Sequence, residues 1–228
     1  MKRILFLVFL CFIQNVAMGQ WAVGVHGGVN STSISRSHAD RVDETYGNLF
    51  GFDFGINGKY AVGTWLAIRA DLSLIQRNHR LQRHLNYISP VYTDHLNTYV
   101  MLPVMADFSF GGQKLRGHLL LGGFCGYWLK QRVKGITYGM TDYEVFFNDF
   151  NEQRSFTRED RRFNAGLTTG MALSYSLNEN IDLNLDTLLY YDLASHRIGY
   201  ANLQDYRYLN TCSLTLGFSY KFTTKEQQ

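Results

Sequence analysis

Eight charged residues stand singly within otherwise apolar or glycine-rich stretches of this 228-residue chain: Asp53, Lys59, Arg69, Asp71, Asp107, Asp182, Asp186 and Lys221. Gathered in one enclosed space, such groups could carry ions or protons. They could equally pair off as charge-assisted hydrogen bonds and fill that space. A second kind of chemistry would need a nucleophile, a base and a group to orient it. His79, His84, Asp94, His95 and His196 are the candidates for that role, and their spacing defines no such set. No cluster has metal-ligand spacing either. The expectation is therefore no catalytic residue, no metal and no cofactor, with the eight charges forming a structural network.

What positions these charges is an alternation of period two. In Ile181–Tyr191 the residues Ile181, Leu183 and Leu185 fall on one face of an extended strand, and Asp182, Asn184 and Asp186 on the other. Seven further segments share the pattern: Trp21–Asn30, Phe50–Tyr60, Trp65–Arg77, Thr98–Phe110, Leu115–Leu129, Phe163–Tyr175 and Leu209–Phe222. In Phe50–Tyr60, for example, Phe50, Phe52, Phe54 and Ile56 alternate with Gly51, Asp53, Gly55 and Asn57. Leu115–Leu129 is more apolar throughout than the others and leaves its facing open. The segments run roughly 10 to 14 residues, against about 5 to 6 in soluble sheets and about 9 to 11 needed to cross a bilayer when tilted.

The links between segments alternate strictly in length. Ala61–Thr64, Gly111–Lys114 and Ser176–Glu179 are short and carry turn residues. Ser31–Leu49, Asn78–Asn97, Lys130–Arg162 and Asp192–Tyr208 are long and polar, and are expected to be loops. Short periplasmic turns with longer extracellular loops are the rule for outer-membrane barrels. Trp21, Phe50, Tyr60, Trp65, Phe108, Phe110, Tyr127, Trp128, Phe163, Tyr175, Tyr190, Tyr191, Tyr220 and Phe222 sit near segment ends, where interfacial aromatic girdles belong. The fold class that follows is all-β, an eight-stranded antiparallel up-and-down transmembrane β-barrel. A soluble lipocalin-type barrel competes, and Gly63-Thr64-Trp65 matches its Gly-x-Trp pattern. That motif belongs to a first strand, however, and here it opens the third.

Residues 1–19 are expected to be a signal peptide, with Lys2 and Arg3 before the apolar run Ile4–Ile13 and small residues at Ala17 and Gly19. Residues 20–228 would then form the barrel domain. The formal charge of +3 falls to about +1 without Lys2 and Arg3, so no nucleic acid or other polyanion partner is implied. Fifteen Tyr, 16 Phe and 21 Gly with only 2 Pro suit long uninterrupted strands. Cys125 and Cys212, the cysteines beyond the apolar start, read as small hydrophobes without a disulfide.

Several of these segments resemble PorT-like outer-membrane barrels of Bacteroidetes, small barrels of the OmpA/OmpX type. The resemblance lies in Trp21–Asn30 with its Gly-Gly-x-Asn, in Leu66–Arg77 with Asp71 and the Gln76-Arg77 pair, in Tyr99–Pro103, in Phe163–Tyr175 with Gly166 and Gly170, and in the closing Gly217–Phe222. Met101 stands where that family's pattern has Glu, and Thr223–Gln228 extends past the terminal aromatic residue. The resemblance implies a place in the outer membrane and participation in type IX protein secretion.

The function expected is a non-enzymatic integral outer-membrane barrel with a side-chain-filled lumen and a structural or accessory role. Its partners would be outer-membrane lipid and lipopolysaccharide, with envelope or secretion-system proteins. The third long link is the candidate contact surface. It mixes Lys130, Arg132, Lys134, Asp142, Glu144, Asp149, Glu152 and the run Arg158–Arg162 with Tyr138, Tyr143, Phe146, Phe147 and Phe150. The alternatives are an enzyme with an extracellular rim site and a narrow pore.

Overall fold

A computed structural model describes residues 21–36, 44–85, 88–141, 145–158, 160–193 and 207–222; the segment 1–19, expected from the sequence to be a signal peptide, lies outside them. Ten strands follow in order: β1 (Trp21–Arg36), β2 (Glu44–Ala61), β3 (Leu66–Gln76), β4 (His79–Leu85), β5 (Ile88–Gly111), β6 (Leu115–Met140), β7 (Val145–Arg154), β8 (Phe163–Ser176), β9 (Ile181–Asp192) and β10 (Arg207–Phe222). Eight of them close a ring of antiparallel pairs, β1–β2–β3–β5–β6–β8–β9–β10, and β10 pairs back onto β1 from Trp21↔Phe222 to Arg36↔Arg207. The remaining two lengthen the wall. β4 continues the column of β3, pairing with Glu44–Asn48 of β2 and with β5, and β7 extends the column of β8 along β6.

The alternation of apolar and polar residues maps onto the two faces of this wall. Val25, Phe54, Leu72, Val104, Leu167 and Leu216 point outward and are exposed, whereas Asp53, Asp71, Met105, Thr168 and Thr215 point inward and are buried. Leu185 is exposed and its neighbour Asp186 is buried. A continuous apolar belt of this kind far exceeds the few hundred Å² that a soluble monomer presents to water, so lipid covers it. The facing of β6 is now settled as well. Leu115, Leu119, Leu121 and Tyr127 face out, while His118, Leu120, Phe124 and Trp128 face in. Cys125 and Cys212 are both free thiols, and Cys212 lies on the outer face.

Two expectations need correction. Much of what reads as long loops is strand: Ser31–Arg36, Glu44–Leu49, His79–Leu85, Ile88–Asn97, Lys130–Met140 and Val145–Arg154 all pair. β5 and β6 run for 24 and 26 residues, more than twice the length that crosses a bilayer. Beyond the lipid a strand needs only a paired neighbour and no apolar face, so its sequence loses the alternation that marks it. The second correction concerns the aromatic girdles. Trp128 and Tyr190 are buried in the interior rather than at the interface. Trp21 against Tyr60 (4.8 Å between ring centroids) and Trp65 stacked on Phe108 (5.9 Å) hold the girdle at the short-turn end.

The turns at that end are tight for identifiable reasons. Gly111 takes φ = 115°, open to glycine and strained for other residues, and lets Gly112 N–H reach the Leu115 carbonyl at 3.0 Å. In the β8–β9 turn the Asn178 side-chain oxygen accepts from the Asn180 and Ile181 N–H groups, at 3.0 and 2.7 Å. At the opposite end β3 gives way to β4 at Arg77 and Asn78, and the Asn78 side chain bridges the break. Its Nδ2 donates to the Phe50 carbonyl at 2.9 Å and its Oδ1 accepts from Asn97 N–H at 3.2 Å.

Closure leaves little room at the β1–β10 seam. A Cβ on Gly28 would collide with the Leu214 carbonyl and the Thr215 Cα, whereas one on Gly63 would meet nothing within 4 Å. Gly28→Val is therefore expected to abolish the fast-migrating folded band on a heat-modifiability gel, and Gly63→Val to leave it intact. Retention of the folded band by Gly28→Val would contradict this seam.

Candidate functional site

The ring encloses a space that side chains fill in three layers. At the short-turn end, Arg69 donates Nε and Nη2 to the two oxygens of Asp71 (2.8 and 2.9 Å), and Nη2 also to Asp186 at 2.6 Å. Lys59 meets Asp107 at 2.6 Å. Lys221 meets Asp182 at 2.7 Å, and Ser176 donates to the same carboxylate at 2.7 Å. Around these pairs a cavity of about 100 Å³ opens toward the mouth.

The eight charges singled out in the sequence all lie in the interior, but they do not form one network. Seven divide into three groups, Arg69–Asp71–Asp186, Lys59–Asp107 and Lys221–Asp182. Asp53 stands apart, accepting from Ser213 at 2.6 Å with His26 at 3.8 Å. The middle layer is apolar. Ile75, Met101, Met105, Leu120, Phe124, Leu188 and Tyr190 pack into a contiguous core across the lumen.

Above it sits a group that sequence reasoning missed. Arg77 is fully buried. Its Nη1 donates to Asp192 at 2.9 Å, its Nε to Thr211 at 2.8 Å and its Nη2 to the Leu209 carbonyl at 2.8 Å. With its amide turned to satisfy both of its groups, Asn164 accepts from Arg77 Nη1 at 3.0 Å and donates to the Gly126 carbonyl at 2.9 Å. The rings of Tyr99 and Phe124 lie 5.6 and 6.0 Å from the guanidinium carbon. The signal that could have found this group is parity. Arg77 continues the inward series 69, 71, 73, 75, and Asp192 continues 182, 186, 188, 190, but both stood at the edge of presumed loops.

His118, also missed because β6 had no visible facing, bridges Asp107 and Ser174. Nδ1 lies 2.7 Å from Asp107 and Nε2 lies 2.8 Å from Ser174 Oγ. The connectivity is that of a Ser-His-Asp triad. Two features set it apart. Lys59 occupies the second oxygen of Asp107, and Ser174 lies within a strand paired on both sides, by β6 and by β9. The backbone N–H pair that would stabilise an oxyanion is thereby committed to the sheet.

At the long-strand end the rim candidates separate. His79 and His95 stack, with centroids 4.7 Å apart, over a cavity of about 80 Å³ lined also by Tyr99, Trp128 and Arg154. Asp94 instead binds Arg80 through both oxygens, at 2.6 and 2.9 Å. That bond pushes the Arg80 pKa up from its ordinary value. His84 is in β4, and His196 lies outside the described residues, as do Asp142, Tyr143 and Glu144. Among the described residues no group of His, Cys, Asp and Glu is arranged to hold a metal.

Residues 12–195 match the family described as outer membrane protein beta-barrel domain. The chain belongs to this family. It is therefore a protein of the outer membrane, with its short turns on the periplasmic side and its long strands rising on the extracellular side. The chain is similar in structure to OprG from Pseudomonas aeruginosa (13% identity, 89% of this chain and 96% of that one, TM-score 0.51). Lower likenesses extend to Neisserial surface protein A (18% identity, 89% and 97%, TM-score 0.45) and to Ail of Yersinia pestis (15% identity, 90% and 99%, TM-score 0.41). At these identities the likeness is one of fold alone. No curated protein matches the sequence.

The Arg77–Asp192 pair gives this outer-membrane barrel a test of its interior. Removing one partner of a buried ion pair costs about 3–5 kcal/mol, because the other charge is left uncompensated, while an apolar replacement of both costs far less. Arg77→Met and Asp192→Leu are each expected to lower unfolding stability in lipid vesicles by about that amount, and the double variant by less than either single. Additive losses in urea titrations would show that the two residues do not act as a pair.

Proposed function

We propose that this protein is a non-enzymatic outer-membrane barrel with a sealed lumen and a structural or accessory role in the envelope, its extracellular strands serving as contact surfaces for other envelope proteins. The observation that carries this reading is the filled interior. Arg77 and Asp192 are fully buried across the upper lumen, with the apolar layer from Ile75 to Tyr190 beneath them. An eight-stranded barrel has an interior just wide enough for side chains to fill. The paired charges then act as filling that cannot face lipid, where a cation at mid-depth costs about 2–4 kcal/mol.

The non-enzymatic part rests on the same geometry. The Ser174–His118–Asp107 chain has its aspartate shared with Lys59, and it lacks a free oxyanion donor pair. The resemblance of β1, β3, β5, β8 and β10 to PorT-like barrels supports a more particular place for the protein, beside the machinery of type IX protein secretion.

Two measurements separate these readings from an enzyme and from a pore. In planar bilayers the refolded protein is expected to show no discrete conductance steps; regular single-channel openings would replace the sealed barrel with a pore. A fluorophosphonate probe is expected to leave Ser174 unlabelled, and labelling that disappears in Ser174→Ala would make the barrel an enzyme.

A further inference from the structure

The outer face of β6 changes character at one residue. Up to Leu129 its lipid-facing row is Leu119, Leu121 and Tyr127, all exposed on the apolar belt. There the pairing with β5 slips: Tyr99 lies opposite Trp128 and Thr98 opposite Lys130, so Leu129 is an extra residue in a β-bulge. A bulge re-aims every side chain beyond it. Continued without the slip, the outward row would read Gln131, Val133 and Gly135, and the cations would point into the barrel. With it, Lys130, Arg132 and Lys134 face outward and are exposed, while Gln131 is buried.

A fourth cation is fixed at the same level. Arg162, just before β8, donates Nε to the Trp128 carbonyl at 3.1 Å, and Trp128 N–H donates back to the Arg162 carbonyl at 2.8 Å. Its guanidinium is held between the rings of Tyr127 and Phe156, at 4.5 and 4.4 Å. The lumen cations Lys59, Arg69, Arg77 and Lys221 each have an aspartate within 3 Å. Among the described residues Lys130, Arg132, Lys134 and Arg162 have none. Arg132 instead donates to the neutral Asn151 at 2.7 Å, and Asp94, the cross-strand neighbour of Lys134, is engaged by Arg80.

We propose that this face binds the phosphate groups of a phosphorylated glycolipid of the outer leaflet. The row of cations begins where the apolar belt ends, which is the height at which hydrocarbon gives way to headgroups. It looks sideways along the membrane plane rather than up into the medium, so its neighbour is a lipid. Lys130 to Lys134 spans about 14 Å along the strand, enough to follow a headgroup bearing more than one phosphate. Arginine adds bidentate geometry for phosphate, and stacking on aromatic rings keeps the Arg162 guanidinium in place. The proposal rests on the outer-membrane location and is independent of whether the lumen is sealed.

The test titrates the folded full barrel, in detergent, with lipid A bearing both phosphates and with the same lipid dephosphorylated. Wild type is expected to prefer the phosphorylated form. The variant Lys130→Gln/Arg132→Gln/Lys134→Gln is expected to lose about a hundredfold in affinity, since each cation near an anionic surface contributes about fivefold. Lys114→Gln, at the periplasmic turn, should bind like wild type, and heat-modifiability confirms that each variant is folded. Equal affinity for the two lipids would overturn the proposal, as would wild-type affinity in the triple variant. Full displacement of the lipid by millimolar inorganic phosphate would also overturn it, because the site would then take the free ion. Should the triple variant fail to fold, Arg162→Gln with Lys130→Gln gives the same reading at about twenty-five-fold.

Discussion

Everything in this molecule follows from the need to pair every backbone N–H and C=O inside a medium that offers no partners. The chain meets that need by returning β10 to β1 in continuous register from Trp21↔Phe222 to Arg36↔Arg207. Once the ring is closed there is no edge, and each strand has a lipid face and a lumen face. The two-faced segments of the sequence are the imprint of that closure. So is the glycine at position 28, where the seam brings the Leu214 carbonyl too near for a Cβ.

Closure also determines what the interior must contain. Eight strands leave a space narrow enough to be packed, and the inward residues pack it in polar, apolar and polar layers. The polar layers are costly unless their cations are compensated, and these are: Arg69 by two aspartates, Lys59 and Lys221 by one each, Arg77 by Asp192, Thr211 and a carbonyl. His118, with both nitrogens engaged, belongs to the same arrangement of braces.

How much of this could be read from the sequence depended on whether lipid forced a contrast between the faces. Where it did, as in β2, β3, β8 and β9, the strands and their facing were legible residue by residue, and so were the inward charges from Asp53 to Asp186. Where the lumen face was itself apolar, as with Leu120 and Phe124 of β6, alternation vanished, and with it any sign of His118. Above the membrane no face meets lipid and none has to be apolar, so β4, β7 and the upper halves of β5 and β6 read as loop although they pair. Arg77 and Asp192 fell at that boundary. Partner distances were beyond reach for another reason: Asp71 meets Arg69 two residues away, but Asp186 reaches it from across the barrel, and only the ring brings them together.

Buried ion pairs are weak evidence of stability, because apolar residues of the same shape often serve as well. Their placement here suits a different task. A slip of one residue in β9 would turn Asp182, Asp186 and Asp192 toward lipid and send Leu183 and Leu185 inward. The same slip in β3 would put Arg69 and Arg77 against hydrocarbon, at about 2–4 kcal/mol each near mid-depth, and would leave their aspartates unpaired. The charges therefore penalise wrong registers more than they reward the right one. The bulge at Leu129 shows that such a shift of facing is tolerated where it occurs above the apolar belt. There it carries Lys130, Arg132 and Lys134 to the outside without passing a charge through lipid.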